Sequence, residues 1–152
     1  MRSILPVLTA LCAASTAALA GPFPPTALLS IGYREARLAD FEGTPGQAQR
    51  RAAPDGLLSL TADLNGDGRD DEVRILLNQE RQLAYVAAAI VTEKLDTYVL
   101  RRVPLDEAAD IGLRDAPPRL DGRHGVTIFS LSSGRAETLY LAGEEFEATG
   151  AN

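Results

Sequence analysis

From residue 57 to residue 149 the apolar positions fall in short runs and alternations separated by polar tips, the period-two signature of β-strands. "LLSLTA" (57–62) predicts a short strand. "VRILLN" (73–78) and "LAYVAAAIVT" (83–92) predict a hairpin around the polar tip "QERQ", and "TYVLRRVPL" (97–105) a third strand stopped by Pro104. "VTIFSLS", "ETLYLA" and "EFEAT", joined through "SGR" and "GEE", predict a terminal meander. Between these blocks, "DEAADIGLRDAPPRLDGRHG" (106–125) carries Pro117, Pro118 and several glycines, so the expectation there is irregular chain. Upstream, "TALLSIGYREARLADF" (26–41) has apolar residues at Leu28, Ile31 and Leu38, which supports one minor helix at most. "EGTPGQAQRRAAPDG" (42–56) has the composition of a surface loop. No period recurs, which excludes a repeat array. The expected fold is mainly β, an antiparallel meander with one minor N-terminal helix in a single small domain.

The first twenty residues stand apart. Arg2, the apolar stretch to Ala18 and the small-x-small "ALA" at 18–20 before "GPFPP" predict a cleaved secretory signal. The stretch is shorter than the roughly 20 residues of a membrane anchor and is interrupted by Pro6. Leu11 precedes Cys12 where a lipoprotein signal needs a small residue. The expected organisation is therefore a signal peptide over 1–20, a proline-rich lead-in with a possible short helix and loop over 21–56, and a β domain over 57–152. The expected location is the periplasm or the extracellular medium.

Composition narrows the partners. The chain carries 15 basic and 21 acidic residues. Loss of Arg2 leaves 14 (15 less one) against 21, a net −7. That balance argues against nucleic acid or anionic lipid, which both reward clustered Lys and Arg. After residue 20 no apolar run is long enough to span a membrane; the nine residues of "LAYVAAAIV" suit a buried strand. Cleavage would also remove Cys12, the one cysteine, so the mature chain would form no disulfide in an oxidising compartment.

One stretch breaks the apolar texture: "DLNGDGRDD" (63–71). Oxygen-bearing side chains fall at its positions 1, 3, 5 and 9, namely Asp63, Asn65, Asp67 and Asp71. Arg69 at position 7 would offer its main-chain carbonyl, and Gly68 stands at position 6, where a tight turn needs unusual backbone angles. Carboxylate and carbonyl oxygens in that spacing are what a hard cation wants, and so large and flexible a set favours Ca²⁺ over Mg²⁺. A solvated acidic turn also uses Asp, Asn and Gly, yet has no reason to place oxygens at alternate positions with glycine at the sixth. The metal ligands expected are Asp63, Asn65, Asp67, Arg69 (through its carbonyl) and Asp71, with Asp70 and Glu72 pointing elsewhere.

The loop resembles an EF-hand calcium loop, except that position 12, a bidentate Glu there, is Arg74 and the flanks have strand character. It is more similar to the calcium loops of dockerins and of FG-GAP (integrin-propeller-like) repeats, in which Asp at position 9 ligates directly. Those proteins carry two or more copies; this chain has one. Over about the last 95 residues the chain also resembles a group of small bacterial secreted proteins with "D-L-N-G-D-G-x-x-D-E", an apolar strand with "LLN", and a hydrophobic terminal meander. Leu141 and Ala142 stand where that group often has Trp–Asp. The resemblance implies a calcium loop and brings no activity with it.

No catalytic constellation is legible. His124, the sole histidine, sits in a polar loop. Ser130, Ser132 and Ser133 flank a hairpin turn without a nucleophile elbow. "EEFE" fits a solvated strand edge, and no Cys/His set could hold zinc. Two readings survive. One is a non-enzymatic secreted module, stapled by Ca²⁺, that binds a protein or small molecule. The other is a small secreted hydrolase whose carboxylates converge only on folding. A cleft holding two carboxylates away from the acidic loop would keep the second reading open.

Overall fold

The computed structural model describes residues 26–149, so the expected signal peptide lies outside the described residues. The described chain is mainly β, as the alternation predicts. It runs α1 (Thr26–Ser30), β1 (Arg34–Glu35), a 3₁₀ turn (Leu38–Phe41), α2 (Gln47–Ala52), β2 (Ser59–Ala62), β3 (Asp71–Asn78), β4 (Leu83–Val91) and β5 (Leu95–Pro104). A second 3₁₀ turn (Glu107–Asp110) then leads into β6 (Ile111–Ala116), β7 (Gly125–Ser130), β8 (Ala136–Ala142) and β9 (Glu145–Thr149).

Two antiparallel sheets result. The first has the order β1-β3-β4-β5, with β2 also pairing with β3; the second is the meander β6-β7-β8-β9. Alternate residues of both sheets meet in one core, including Val73, Ile75, Val86, Ile90, Leu113, Val126, Ile128 and Leu139. Burying each such aliphatic side chain contributes about 1.5–3 kcal/mol. The sheets are also joined where the Leu113 amide donates to the Leu57 carbonyl at 3.0 Å. The outer face of β3 and β4 has a smaller apolar cover in which Tyr33 packs on Leu76 and Ala87 and stacks on Tyr85 at 4.4 Å between ring centroids. Covering both faces explains why the second half of β3 is apolar without alternation.

Two segments depart from the sequence expectation. The loop expected over 42–56 contains α2, whose Arg50 is only 1 % exposed. The irregular chain expected over 106–125 contains the second 3₁₀ turn and β6, whose Ile111 and Leu113 enter the core. Pro117 and Pro118 limit β6 at its end without preventing it.

β5 holds a further irregularity. Val86 pairs with Arg101 and Ala87 with Val99, so Leu100 is an extra residue in a β-bulge. A bulge reverses the alternation beyond it. Tyr98 and Leu100 face the core before the bulge; after it, Arg101 and Val103 share the register of inward-facing Val86 and Ala84.

Candidate functional site

The acidic loop is the turn between β2 and β3, whose register pairs Ala62 with Asp71. The flanks are strands, which excludes a helix–loop–helix arrangement for this segment. Gly66 and Gly68 have φ of 81° and 82°, the left-handed region that glycine enters without strain. The loop then winds onto its own side-chain oxygens. Asp63 Oδ1 accepts from the amides of Gly66 (2.7 Å) and Asp67 (3.1 Å), and Asp63 Oδ2 from that of Gly68 (2.8 Å). Asn65 Oδ1 accepts from the same Asp67 amide at 2.9 Å, and Asp67 Oδ1 from that of Arg69 at 2.9 Å. Asp63 and Asn65 therefore turn their oxygens to a common point.

Asp71 lies beneath the loop, with no exposed surface. Its Oδ2 accepts from the Leu64 amide at 2.9 Å and its Oδ1 from the Val91 amide at 2.8 Å, tying the start of the loop to the end of β4. Burial pushes its pKa up, against the pull of these amides. Glu72 pairs with Arg74 at 3.0 Å, and Asp70 is exposed. Arg74 also pairs with Glu35 at 2.6 Å, on the strand surface away from the loop.

The loop also abuts the segment between β6 and β7. The His124 amide donates to the Asp63 carbonyl at 2.8 Å, and a Cβ on Gly66 would meet the Arg123 side chain at 2.8 Å. His124 is half-buried, with Nδ1 3.0 Å from both carboxylate oxygens of Asp115. The histidine of the polar loop thus has a carboxylate partner from β6, an element that the sequence pattern hides.

An ionised carboxylate has about four acceptor positions and an amide oxygen two. After the loop amides are counted, Asp63 keeps about one, Asn65 one and exposed Asp67 about three. The side chains present can therefore still offer oxygens to a hard cation. No three His, Cys, Asp or Glu side chains among the described residues form a metal-holding group by themselves. An ion here would draw on Asn65 and the Arg69 carbonyl as well as carboxylates.

A second feature lies at one end of the core. A cleft of about 450 Å³ is bounded by β5, the turn before β6, and the β7–β8 hairpin. Its floor is apolar, with Val103, Ile111 and Ile128, and its walls carry Arg101, Glu107, Asp110, Arg135 and Glu137. Arg101, turned inward by the bulge, pairs across the two sheets with Glu137, which stands opposite Ile128 in the β7–β8 register. Two inward positions that would otherwise be core thus hold charge, and the core opens there into a cleft.

Both carboxylate oxygens of Asp110 accept a hydrogen bond. Its Oδ2 accepts from the Ser130 hydroxyl at 2.6 Å and its Oδ1 from the Ser132 amide at 2.7 Å, while Ser133 donates to Ser130 Oγ at 2.8 Å. The serines that flank the hairpin turn are organised by a carboxylate, with no histidine among their hydrogen-bond partners in the described residues. The Ser130 hydroxyl foremost, and then the Ser132 amide, hold Asp110 below the ordinary 3.8. A depressed carboxylate contributes stability that is present above its unfolded pKa and lost as pH falls through its folded one. Asp110→Asn should therefore destabilise most near neutrality, and the gap to wild type should narrow below pH 3.8. Thermal melts across that range check it; a gap independent of pH would show that the charge contributes nothing.

Among the described residues, no helix is long and apolar enough to cross a membrane. Comparisons with protein-family models, with curated proteins and with solved structures returned no match.

Proposed function

We propose that the protein is an exported β module, stapled by Ca²⁺ in the 63–71 loop, that binds a small molecule or a protein without catalysing a reaction. The observation that supports this reading is the inward winding of the loop. Asp63 and Asn65 bring their oxygens to one point between two strands, with glycine at the turn and Asp67 beside them. Asp63, Asn65, Asp67 and Asp71 would ligate through side chains and Arg69 through its carbonyl. The ion would supply the neutralising charge that lets these carboxylates share one loop. Fixing β2 to β3 would be its role in a chain whose only cysteine lies in the expected leader.

Thermal melts in calcium and in chelator test the reading. Extracellular calcium modules bind at about 10⁻⁴–10⁻³ M. A ligand at 100 times its Kd stabilises by about 2.7 kcal/mol, which for a domain of this size raises Tm by at least about 5 °C. Asp67→Ala should abolish that increment while leaving the melt in chelator unchanged or raised, because Asp67 is exposed and faces like charges. Arg74→Ala should change calcium affinity by less than about tenfold, since Arg74 is engaged with Glu35 and Glu72. Identical wild-type melts in the two buffers would remove the calcium proposal.

The hydrolase reading keeps one supporting observation, the carboxylates Glu107, Asp110 and Glu137 in a single cleft. Their surroundings favour binding over acid–base work. Asp110 accepts two hydrogen bonds that hold it below the ordinary carboxylate range and Glu137 is paired with Arg101, whereas a general acid or base needs a pKa near the working pH.

A further inference from the structure

The cleft holds two kinds of charge. Arg101 and Glu137 neutralise each other, and Asp110 is held by Ser130 and Ser132. Arg135, on the hairpin wall, and Glu107, on the wall that follows β5, both line the cavity, and neither side chain has a partner among the described residues. They are opposite in sign and stand on different elements of the lining, yet they do not pair with each other. Below them lie the side chains of Val103, Ile111 and Ile128. The volume, about 450 Å³, falls in the range of small-molecule sites, which combine an apolar lining with a few placed polar groups. The bulge at Leu100 brings this charge pattern to an inward position, and bulges commonly re-aim side chains beside functional sites.

We infer that this cleft is a binding site for a small zwitterion of the amino-acid class, its carboxylate against the Arg135 guanidinium, its ammonium against the Glu107 carboxylate and an apolar side chain on the Val103–Ile111–Ile128 floor. The inference rests on the binding-module reading and is independent of the calcium loop, which shares no residue with the cleft. Guanidinium recognises carboxylate through paired donors, and Arg101, with donors beyond the one given to Glu137, can share that group. Two cations against three carboxylates leave the cleft one negative charge in excess, which disfavours polyanions. An unpartnered arginine disfavours simple cations.

Leucine, N-acetylleucine and leucinamide separate these contributions, because each derivative removes one of the two charges. Titration of the whole protein, followed by methyl resonances of Val103, Ile111 and Ile128, should show leucine binding. Each derivative should bind at least about tenfold more weakly. Arg135→Gln should erase the preference for leucine over leucinamide, and Glu107→Gln the preference over N-acetylleucine. Neither side chain makes an intramolecular contact on which folding depends. N-acetylleucine binding as well as leucine would overturn the zwitterion inference and leave a carboxylate-binding module. No response to any of the three at about 10 mM, far weaker than a functional site, would overturn the inference while leaving the binding-module reading standing for other ligands or a protein partner.

Discussion

Arg50→Met should destabilise the protein by about 3 kcal/mol, the largest loss expected from any single side chain of the N-terminal segment. Arg50 projects from α2 into the interior with 1 % of its surface exposed. Its Nη1 donates to the Gly56 carbonyl at 3.2 Å. Its Nη2 reaches the carbonyls of Ala108 (3.2 Å), Ala109 (3.3 Å) and Ile111 (2.6 Å). Among the described residues no carboxylate hydrogen-bonds to it, although the nearby Asp110 charge favours its charged form. The carbonyls at the end of the second 3₁₀ turn solvate the cation, and the Phe41 ring lies 4.3 Å from the guanidinium carbon. Burial lowers its pKa to about 10, which still leaves it charged at physiological pH.

Two effects oppose each other in the substitution. Methionine removes the cost of burying a cation and refills most of the volume. It also strips charged donors from several buried carbonyls, each worth about 1–3 kcal/mol when left unsatisfied. With at least three carbonyls affected, the second effect wins. Arg50→Lys should recover only part of the loss, because one ammonium cannot reproduce the planar fork that spans Gly56 and Ile111. For a domain of this size the loss corresponds to roughly 10 °C in Tm. Urea denaturation checks the sign and size; a methionine variant within about 0.5 kcal/mol of wild type would mean that the carbonyl clamp adds no net stability.

This residue also shows where the sequence stops being informative. "QAQRRA" has no apolar periodicity, because α2 is held by the buried side chain of Arg50, which sequence pattern assigns to the surface. The β3–β4 hairpin and the β7–β9 meander were legible because their apolar positions follow strand period and their tips are polar. Asn78, buried at the end of β3, adds a local signal by accepting from the Arg81 amide at 2.9 Å and so closing the tip. β6 was hidden because six residues beside two prolines give too short a pattern, although Ile111 and Leu113 carry its core face.

The two candidate sites differ in the same way. The acidic loop is contiguous, so its alternating oxygens and the positive φ at Gly68 could be expected from spacing alone. The cleft comes from five separate segments. Its Arg101 faces inward only because of a register shift at Leu100, and strict alternation from Tyr98 would have sent Arg102 inward in its place. No local pattern in "YVLRRVP" marks which arginine points in. Likewise, Asp110 and Ser130 lie twenty residues apart and meet through the pairing of Ile111 with Ser130.

Asp71 gives the second large effect, and it separates architecture from ion binding within one loop. Asp71→Ala should cost about 2–4 kcal/mol even in chelator, because it orphans the Leu64 and Val91 amides. Leu64 is completely buried, so its amide has no water to turn to. Asp71→Asn should rescue little of this. Asparagine keeps the shape but offers one acceptor oxygen, and its NH₂ would face whichever amide the other carboxylate oxygen had served. The comparison with Asp67 makes the test specific. Both are candidate ligands, at positions 5 and 9, yet Asp67 is exposed while Asp71 anchors the loop to β4. In calcium, both alanine variants should lose the metal-dependent gain in Tm. In chelator, Asp67→Ala should melt at or above wild type, whereas Asp71→Ala should melt well below it, by roughly 10 °C. If the two variants behave alike in chelator, the buried carboxylate does not tie β4 to the loop, and Asp71 would be a ligand and nothing more.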